Sequence, residues 1–164
     1  MFAEAGASVV MADLDSRVTD RAKELEAEGH NAIGIRCDVS DEVQVKAAVE
    51  KAVAVFGKLD IAYNNVGIHA AVREDLAETE GWDFDRVISV NLRGVWNCMK
   101  YELVEMKKHG KGAIVNCSSQ GGLVGILSQD HLHTTKRNEI HGLHKIIGNA
   151  GNPVICGFYS SSGN

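Results

Sequence analysis

Four polar sites stand at the ends of short apolar runs in this sequence. They are Asp13, Asp38, the pair Asn64–Asn65 and the pair Ser118–Ser119. A carboxylate accepts hydrogen bonds from ribose hydroxyls, asparagine amides can join neighbouring strands, and serine hydroxyls can bind a substrate oxygen. Turn or cap chemistry explains any one site taken alone. Four apolar runs that all end in this way favour a ligand site.

Two alternating periodicities predict the elements that position these residues. The predicted strands are residues 8–13, 31–38, 60–64 and 113–117. The predicted helices are residues 16–28, 41–56 and about 82–108. Ser40 is the expected cap of the second helix, and Gly57 is its expected end. Strands that alternate with helices indicate an α/β fold with a doubly wound parallel sheet, in which ligands bind beyond the carboxyl ends of the strands.

The carboxylate of Asp13 has two interpretations, and both stay open at this point. At the end of a strand in a dinucleotide-binding unit, it would accept hydrogen bonds from the adenosine ribose and repel the 2′-phosphate of NADP, which favours NAD. It could equally cap the helix predicted over residues 16–28.

The composition is that of a soluble globular chain of one domain. The 164 residues are 45% hydrophobic and carry a net charge of -5, which argues against a nucleic-acid partner. No apolar run approaches the roughly 18 residues of a membrane helix. The four cysteines are widely spaced and form no CxxC pair, so we expect neither a disulfide framework nor a zinc ribbon, and a cytoplasmic location.

The sequence changes character after Gly125. Residues 126–145 hold four histidines in a weak helical pattern, and no charged residue follows Lys145. We therefore expect one domain over residues 1–145 and an irregular, uncharged tail over residues 146–164.

Zinc binding is one interpretation of the histidine segment. Two histidines three residues apart on a helix can bind zinc, but only Glu139 or the distant Cys156 could complete the set of ligands. We therefore expect a solvated segment and no metal site. The histidines are His131, His133, His141 and His144.

Together, the motifs of the first 125 residues resemble those of the short-chain dehydrogenase/reductase family. The residues that carry the resemblance are Phe2–Val10, Ala12–Asp13, Cys37–Val39, Asn64–Gly67, Val90–Asn91 and Ile114–Ser119. The family's Asn-Asn-Ala-Gly motif has Val66 here in place of alanine. The resemblance implies a Rossmann-like sheet, a nicotinamide cofactor, hydride transfer between a small alcohol and a ketone, and a homo-oligomer.

The resemblance also implies roles for individual residues. Ser119 would hydrogen-bond the substrate oxygen, Asn91 would hold a water for proton relay, and Lys136 would contact the nicotinamide ribose. The expected cofactor-binding residues are Asp13, Asp38, Val39, Asn65, Val66, Gly67 and Lys136. NAD is the expected cofactor, and NADP is less favoured because of Asp13.

Three departures from the family pattern predict an incomplete, impaired member. Leu132 stands where the family has its acid/base tyrosine, and leucine has no exchangeable proton. The family's first strand, which is central in the sheet, and its glycine-rich loop are not recognisable, and neither are the C-terminal strands. A truncated or alternatively started gene product, or a reading-frame change after about Gly125, would explain this. His133, the next residue, could supply a proton instead. Because adjacent residues on a helix point about 100° apart, however, His133 would face away from the place where the tyrosine acts.

A catalytically inactive fragment that acts as a binding or oligomerisation module is the alternative function. In the family, the helix around residues 92–108 packs against a second subunit. Its apolar stripe here is equally compatible with packing on the chain's own sheet. The stripe consists of Val95, Cys98, Met99, Leu103 and Met106.

Overall fold

Strands and helices alternate as predicted over residues 8–116. The computed structural model describes residues 2–69, 79–118, 146–147 and 154–159. The strands are β1 (Ser8–Asp13), β2 (Ala32–Arg36), β3 (Ile61–Asn65), β4 (Gly112–Asn116), β5 (Ile146–Ile147) and β6 (Val154–Tyr159). The helices are α1 (Arg17–Ala27), α2 (Glu42–Phe56), α3 (Gly81–Ile88) and α4 (Val95–His109), with a π-helical turn, Ser89–Gly94, between α3 and α4.

The described strands form one sheet in the order β2-β1-β6-β3-β4-β5. All pair in parallel except β5, which runs antiparallel to Gly112–Ala113 of β4. Helix α1 makes the crossover between the parallel neighbours β1 and β2, and the segment with α3 and α4 makes the crossover between β3 and β4. The predicted α/β fold with a Rossmann-like parallel sheet is confirmed.

The strand β6 occupies the centre of the sheet, where the sequence predicts none. Val154–Tyr159 runs parallel to β1 on one side and to β3 on the other. The prediction of an irregular tail over residues 146–164 is therefore wrong for this segment, and the sheet has no gap at its centre. An uncharged apolar run can be buried without the cost of desolvating a charge, and it pairs backbone groups of β1 and β3 that would otherwise lack partners.

Asp60 anchors the start of this central strand. Its backbone N–H donates to the Val154 carbonyl, 3.1 Å away, and its carboxylate accepts from the Val154 N–H at 3.0 Å. The carbonyl of Asp60 accepts from Ala113, so one residue joins β3, β4 and β6. Burial opposes ionisation of Asp60, but bonds from Lys58 and Val154 outweigh it and hold the pKa of the carboxyl below its usual value.

Helices cover both faces of the sheet. Helix α1 packs on β1 and β2, whereas α2 and α4 contact each other and lie on the opposite face. The main core lies under α2 and α4, and the side chain of Phe158 from β6 is completely buried in it. Within the described ranges, no helix combines the length and the apolar stretch that crossing a bilayer requires.

The cap of α2 is one residue later than predicted. The Asp41 carboxylate accepts from the N–H groups of Val43 and Gln44, at 2.9 and 3.3 Å, and so satisfies two amides of the first turn. The Ser40 hydroxyl instead donates to Asp38, 2.7 Å away. The predicted end at Gly57 is confirmed, since its φ of 80° is the left-handed conformation of a helix C-terminus.

Candidate functional site

The carboxyl ends of the parallel strands bring the described candidate residues to one edge of the sheet. Asp13 ends β1, Asp38–Val39 follow β2, Asn65–Gly67 end and follow β3, and Ser118 follows β4. Ser119, Leu132 and Lys136 lie outside the described residues, so their predicted roles stay predictions.

Asp13 joins the ends of β1 and β2. Its carbonyl accepts from the Cys37 N–H at 2.8 Å, and its carboxylate accepts from the Asp15 N–H at 2.9 Å. The cap interpretation of Asp13 is wrong, because the carboxylate of Asp15 accepts from Arg17 N–H at the start of α1. Asp13 is 9% exposed and stands at the carboxyl edge, and its predicted contact with the ribose stays a prediction.

The loop after β2 is held by several bonds within a few residues. One carboxylate oxygen of Asp38 accepts from both the N–H and the hydroxyl of Ser40. The Asp38 N–H donates to the Gln44 side chain, 3.0 Å away. Val39 is buried, and its carbonyl accepts from the Asn97 side chain of α4 at 2.8 Å. The two residues predicted to bind cofactor therefore lie in an ordered loop.

The two residues of the pair Asn64–Asn65 differ in their surroundings: the first is buried in the sheet and the second is exposed at its carboxyl edge. Asn64 is buried and donates to Asn116 of β4 at 2.9 Å and to Glu102 of α4 at 3.1 Å. The predicted amide link between neighbouring strands is therefore confirmed for Asn64. Asn65 points the other way and is exposed at the carboxyl edge, as alternation along a strand requires.

Asn91 holds the loop that follows β3. Its side chain accepts from the Ile68 N–H at 2.8 Å and donates to the Ile68 carbonyl at 3.1 Å. The residue is completely buried within the π-helical turn, a feature that occurs frequently at functional sites. Asn91 thus orients the residues just after Val66–Gly67, whereas its predicted contact with a water stays a prediction.

The tip of β4 carries a thiol beside the serine pair. The Cys117 N–H donates to the Asn64 carbonyl at 2.8 Å, and its Sγ lies 2.9 Å from the Tyr63 hydroxyl. Ser118 follows and is exposed. All four cysteines carry free thiols. Burial raises the pKa of the Cys37 thiol to about 12 and that of Cys98 and Cys156 well above the ordinary value, so none of these three is a reactive thiolate at neutral pH.

Two polar residues of α4 that sequence reasoning missed contribute to this edge. Asn97 and Glu102 are among the most deeply buried side chains of the described chain. The available signal was helical spacing: Glu102 follows Cys98 by four residues and so falls on the buried stripe. The stripe considered for subunit contact packs on the chain's own sheet, since Cys98, Met99 and Met106 belong to the core.

No three His, Cys, Asp or Glu side chains within the described ranges are grouped as metal ligands would be. The histidine-rich segment falls outside those ranges, so the zinc interpretation of it is neither supported nor opposed by any described contact.

A parallel sheet with carboxylates, amides and a hydroxyl at its carboxyl edge is typical of ligand-binding α/β domains, among them the dinucleotide-binding ones. A family model described as enoyl-(acyl carrier protein) reductase matches residues 1–149. The chain belongs to the short-chain dehydrogenase/reductase family.

Similar proteins of known name are dehydrogenases and reductases. The cis-4-hydroxycyclohexanecarboxylate dehydrogenase of Sinomonas cyclohexanicum is 42% identical over 125 residues, 76% of this chain and 50% of that protein. The cyclohexanol dehydrogenase of Acinetobacter sp. (strain SE19) is 40% identical over 129 residues, 77% of this chain and 50% of that protein. The solved structure of ElxO with NADP bound is 36% identical with a TM-score of 0.75, covering 83% of this chain and 55% of that one. The chain spans about half the length of these curated relatives.

Proposed function

We propose that this chain carries the cofactor-binding portion of an oxidoreductase that transfers a hydride between a nicotinamide cofactor and a small secondary alcohol or ketone. The observation that supports it best is the shared carboxyl edge, where Asp13, Asp38 and Asn65 end or follow strands of one parallel sheet. Membership of the family supports the reaction class, and the similar ElxO structure holds NADP.

The described residues fit the adenosine half of a dinucleotide. Adenosine presents ribose hydroxyls and an amino group, which are donors that the carboxylates of Asp13 and Asp38 can accept from. The bond from Cys37 to the Asp13 carbonyl fixes the ends of β1 and β2 relative to each other. NAD is the preferred dinucleotide, because Asp13 would lie against the additional phosphate of NADP and repel it.

The chemical step rests on residues assigned by family resemblance. When bound, the nicotinamide ring of the cofactor would accept the hydride from the alcohol. Ser119 holds the substrate oxygen, Lys136 binds the nicotinamide ribose, and Asn91 orients the loop after β3 and holds a water for proton relay. Because Leu132 has no proton to exchange, general acid/base catalysis is lost and turnover is slow. The names of the relatives, which include a cyclohexanol dehydrogenase, favour a cyclic secondary alcohol as substrate.

Calorimetric titration with NAD and NADP tests the cofactor assignment. We expect saturable NAD binding, weaker NADP binding, and a smaller difference between the two in Asp13→Ala. Glu24→Ala is the matched control, since Glu24 is exposed, pairs with Arg21 and lies near the end of α1, whereas the carboxyl edge is at the start of that helix. Failure of the unsubstituted chain to bind either dinucleotide at millimolar concentration would overturn the proposal.

Turnover of secondary alcohols tests the proposed impairment separately. With NAD and cyclohexanol we expect NADH formation close to the background rate. Rapid formation of NADH that disappears in Ser119→Ala would contradict the proposed impairment while leaving the cofactor assignment intact.

A binding or oligomerisation module is the second candidate function. It is favoured by exposed apolar side chains of α4 and of the π-helical turn before it, which point away from the sheet. Trp96 and Val104 are 48% and 49% exposed, although their helix packs its other side on the sheet. Light scattering should then report a dimer that Trp96→Glu converts to a monomer. Val43→Glu, at a highly exposed position of α2, should leave the dimer unchanged. A monomeric unsubstituted chain would exclude self-association through this face.

A further inference from the structure

Asn97 holds the Asp38–Val39 loop from the helical layer that covers it. Its Nδ2 donates to the Val39 carbonyl at 2.8 Å, and only 1% of the side chain is exposed. If the Asn97 amide were rotated by 180°, its Oδ1 would lie at this distance from the Val39 carbonyl oxygen, and two acceptors would face each other. The Val39 carbonyl therefore fixes the orientation of the Asn97 amide. The two residues are 58 positions apart in sequence, whereas the bonds of Asp38 to Ser40 and Gln44 are local.

Gly94 brings the helix close enough for this bond. A Cβ on Gly94 would lie 2.6 Å from Cγ2 of Val39, a distance that real Cβ atoms do not adopt. Val39 is itself buried, so the contact and the hydrogen bond together clamp one residue of the loop against α4 and the π-helical turn.

The same continuous helical segment holds a second loop at the carboxyl edge. Asn91 bonds both backbone groups of Ile68, just after the Val66–Gly67 positions. Asn91 and Asn97 are six residues apart, which corresponds to roughly 9 Å along a helix. One rigid element therefore fixes the loop after β2 and the loop after β3.

We propose that Asn97 is a positioning residue for the adenosine end of the cofactor, acting through the Val39 carbonyl on the loop that carries Asp38. The inference rests on the proposed cofactor-binding function. A loop that is already ordered loses little conformational freedom when ligand binds, which raises affinity without a direct contact. Removing the Asn97 donor leaves the buried Val39 carbonyl unpaired, and the loop then relaxes to reach solvent.

Calorimetric titration with AMP and ADP-ribose, which carry the adenosine end alone, tests this inference. We expect Asn97→Leu to raise the Kd for both by about tenfold. Tyr101→Phe is the matched control, because it removes one hydrogen bond between α4 and Glu42 of α2 without touching Val39. Its Kd should stay within about twofold of the unsubstituted value. A purely structural role would lower the unfolding temperature of Asn97→Leu and leave the Kd of the folded protein unchanged.

The outcomes separate this inference from the function on which it rests. Absent binding of AMP and ADP-ribose by the unsubstituted chain overturns the proposed function. Normal binding with an unchanged Kd in Asn97→Leu overturns the positioning role alone. If that variant does not fold, Asn97→Ala replaces it: it also removes the donor to the Val39 carbonyl, and the same rise of about tenfold in Kd is expected. Hydrogen exchange without ligand decides independently: exchange at residues 37–41 should be faster in Asn97→Ala than in the unsubstituted chain, and equal exchange there contradicts the inference.

Discussion

Glu102 of α4 accepts a hydrogen bond from Asn64 of β3, with 3.1 Å between Oε2 and Nδ2, and neither side chain reaches solvent. Burial raises the pKa of Glu102 to about 8, against the lowering effect of the Asn64 bond. Among the described residues, Cys98 and Cys156 are titratable groups that interact with this carboxyl, and their own pKa values are raised. Glu102 is therefore protonated at neutral pH, and it lies beside the hydrogen bond between Asn64 and Asn116 that joins β3 to β4.

Glu102→Gln should remove a pH dependence of stability. The carboxyl has an ordinary pKa of 4.5 in the unfolded chain and about 8 in the folded one, so the folded state binds the extra proton between these values. The contribution of Glu102 to stability is therefore fully present below pH 4.5 and falls by up to about 1.4 kcal/mol per pH unit as pH rises toward 8. Urea unfolding at a series of pH values gives the free energy of unfolding as a function of pH. For Glu102→Gln this free energy should fall less steeply with pH, and at pH 9 it should exceed that of the unsubstituted chain.

Glu50→Gln is the control for this measurement. Glu50 is exposed on α2 and pairs with Lys46 at 3.8 Å, so its replacement should leave the dependence of stability on pH unchanged. Equal slopes for the unsubstituted chain and Glu102→Gln would mean that the carboxyl is ionised, or hydrated, in the folded protein.

Asp60→Ala should release the central strand. It removes the acceptor of the buried Val154 N–H and the partner of Lys58, at a cost of about 1–3 kcal/mol in the free energy of unfolding. Because the pKa of Asp60 is lowered in the folded state, this contribution is present above its ordinary value of 3.8 and is lost as pH falls below it. Hydrogen exchange should accelerate at residues 155–159.

Asp20→Ala provides the comparison, since Asp20 pairs with Lys23 on the exposed side of α1. Its exchange pattern should match that of the unsubstituted chain. If Asp60→Ala left exchange in β6 unaltered, the anchoring role of Asp60 would be wrong.

Gly94→Ala should overpack the contact between the π-helical turn and Val39. The added methyl group would lie 2.6 Å from Cγ2 of Val39, so we expect a loss of about 1–3 kcal/mol in stability. Val39→Ala combined with Gly94→Ala should recover part of that loss, which a double-mutant cycle measures. Gly81→Ala meets no atom within 4 Å and should be neutral or stabilising. If the changes in the free energy of unfolding caused by Gly94→Ala and Val39→Ala were simply additive, the contact between these two positions would be excluded.

Local patterns were sufficient to predict most of the elements and the carboxyl edge. The strands that end at Asp13 and Asn65 are short apolar runs, and Gly57 ends α2 through its own backbone conformation. The cap of α2 was predicted one residue early, because Ser40 and Asp41 are both good caps and only tertiary contacts assign Ser40 to Asp38.

The central strand and the polar residues of α4 depend on long-range contacts. Val154–Tyr159 is an apolar run of strand length, yet its surroundings of glycine, serine and asparagine suggested an irregular tail. Only pairing with β1 and β3 on both sides makes it a strand. The burial of Asn97 and Glu102 likewise depends on partners 58 and 38 residues away, which no local window contains.

Leu132→Tyr should restore the acid/base group that the family resemblance assigns to this position. A phenol positioned beside the substrate oxygen contributes roughly 100-fold or more to such a step. We therefore expect NADH formation from NAD and cyclohexanol to rise clearly above that of the unsubstituted chain. His133→Tyr is the matched control: it adds the same side chain one residue later, where a helix would direct it about 100° away. The gain should disappear when Ser119→Ala is added to Leu132→Tyr. Equal rates for Leu132→Tyr and His133→Tyr would refute the assignment of position 132 to the acid/base role, because proton transfer depends on the direction of the phenol.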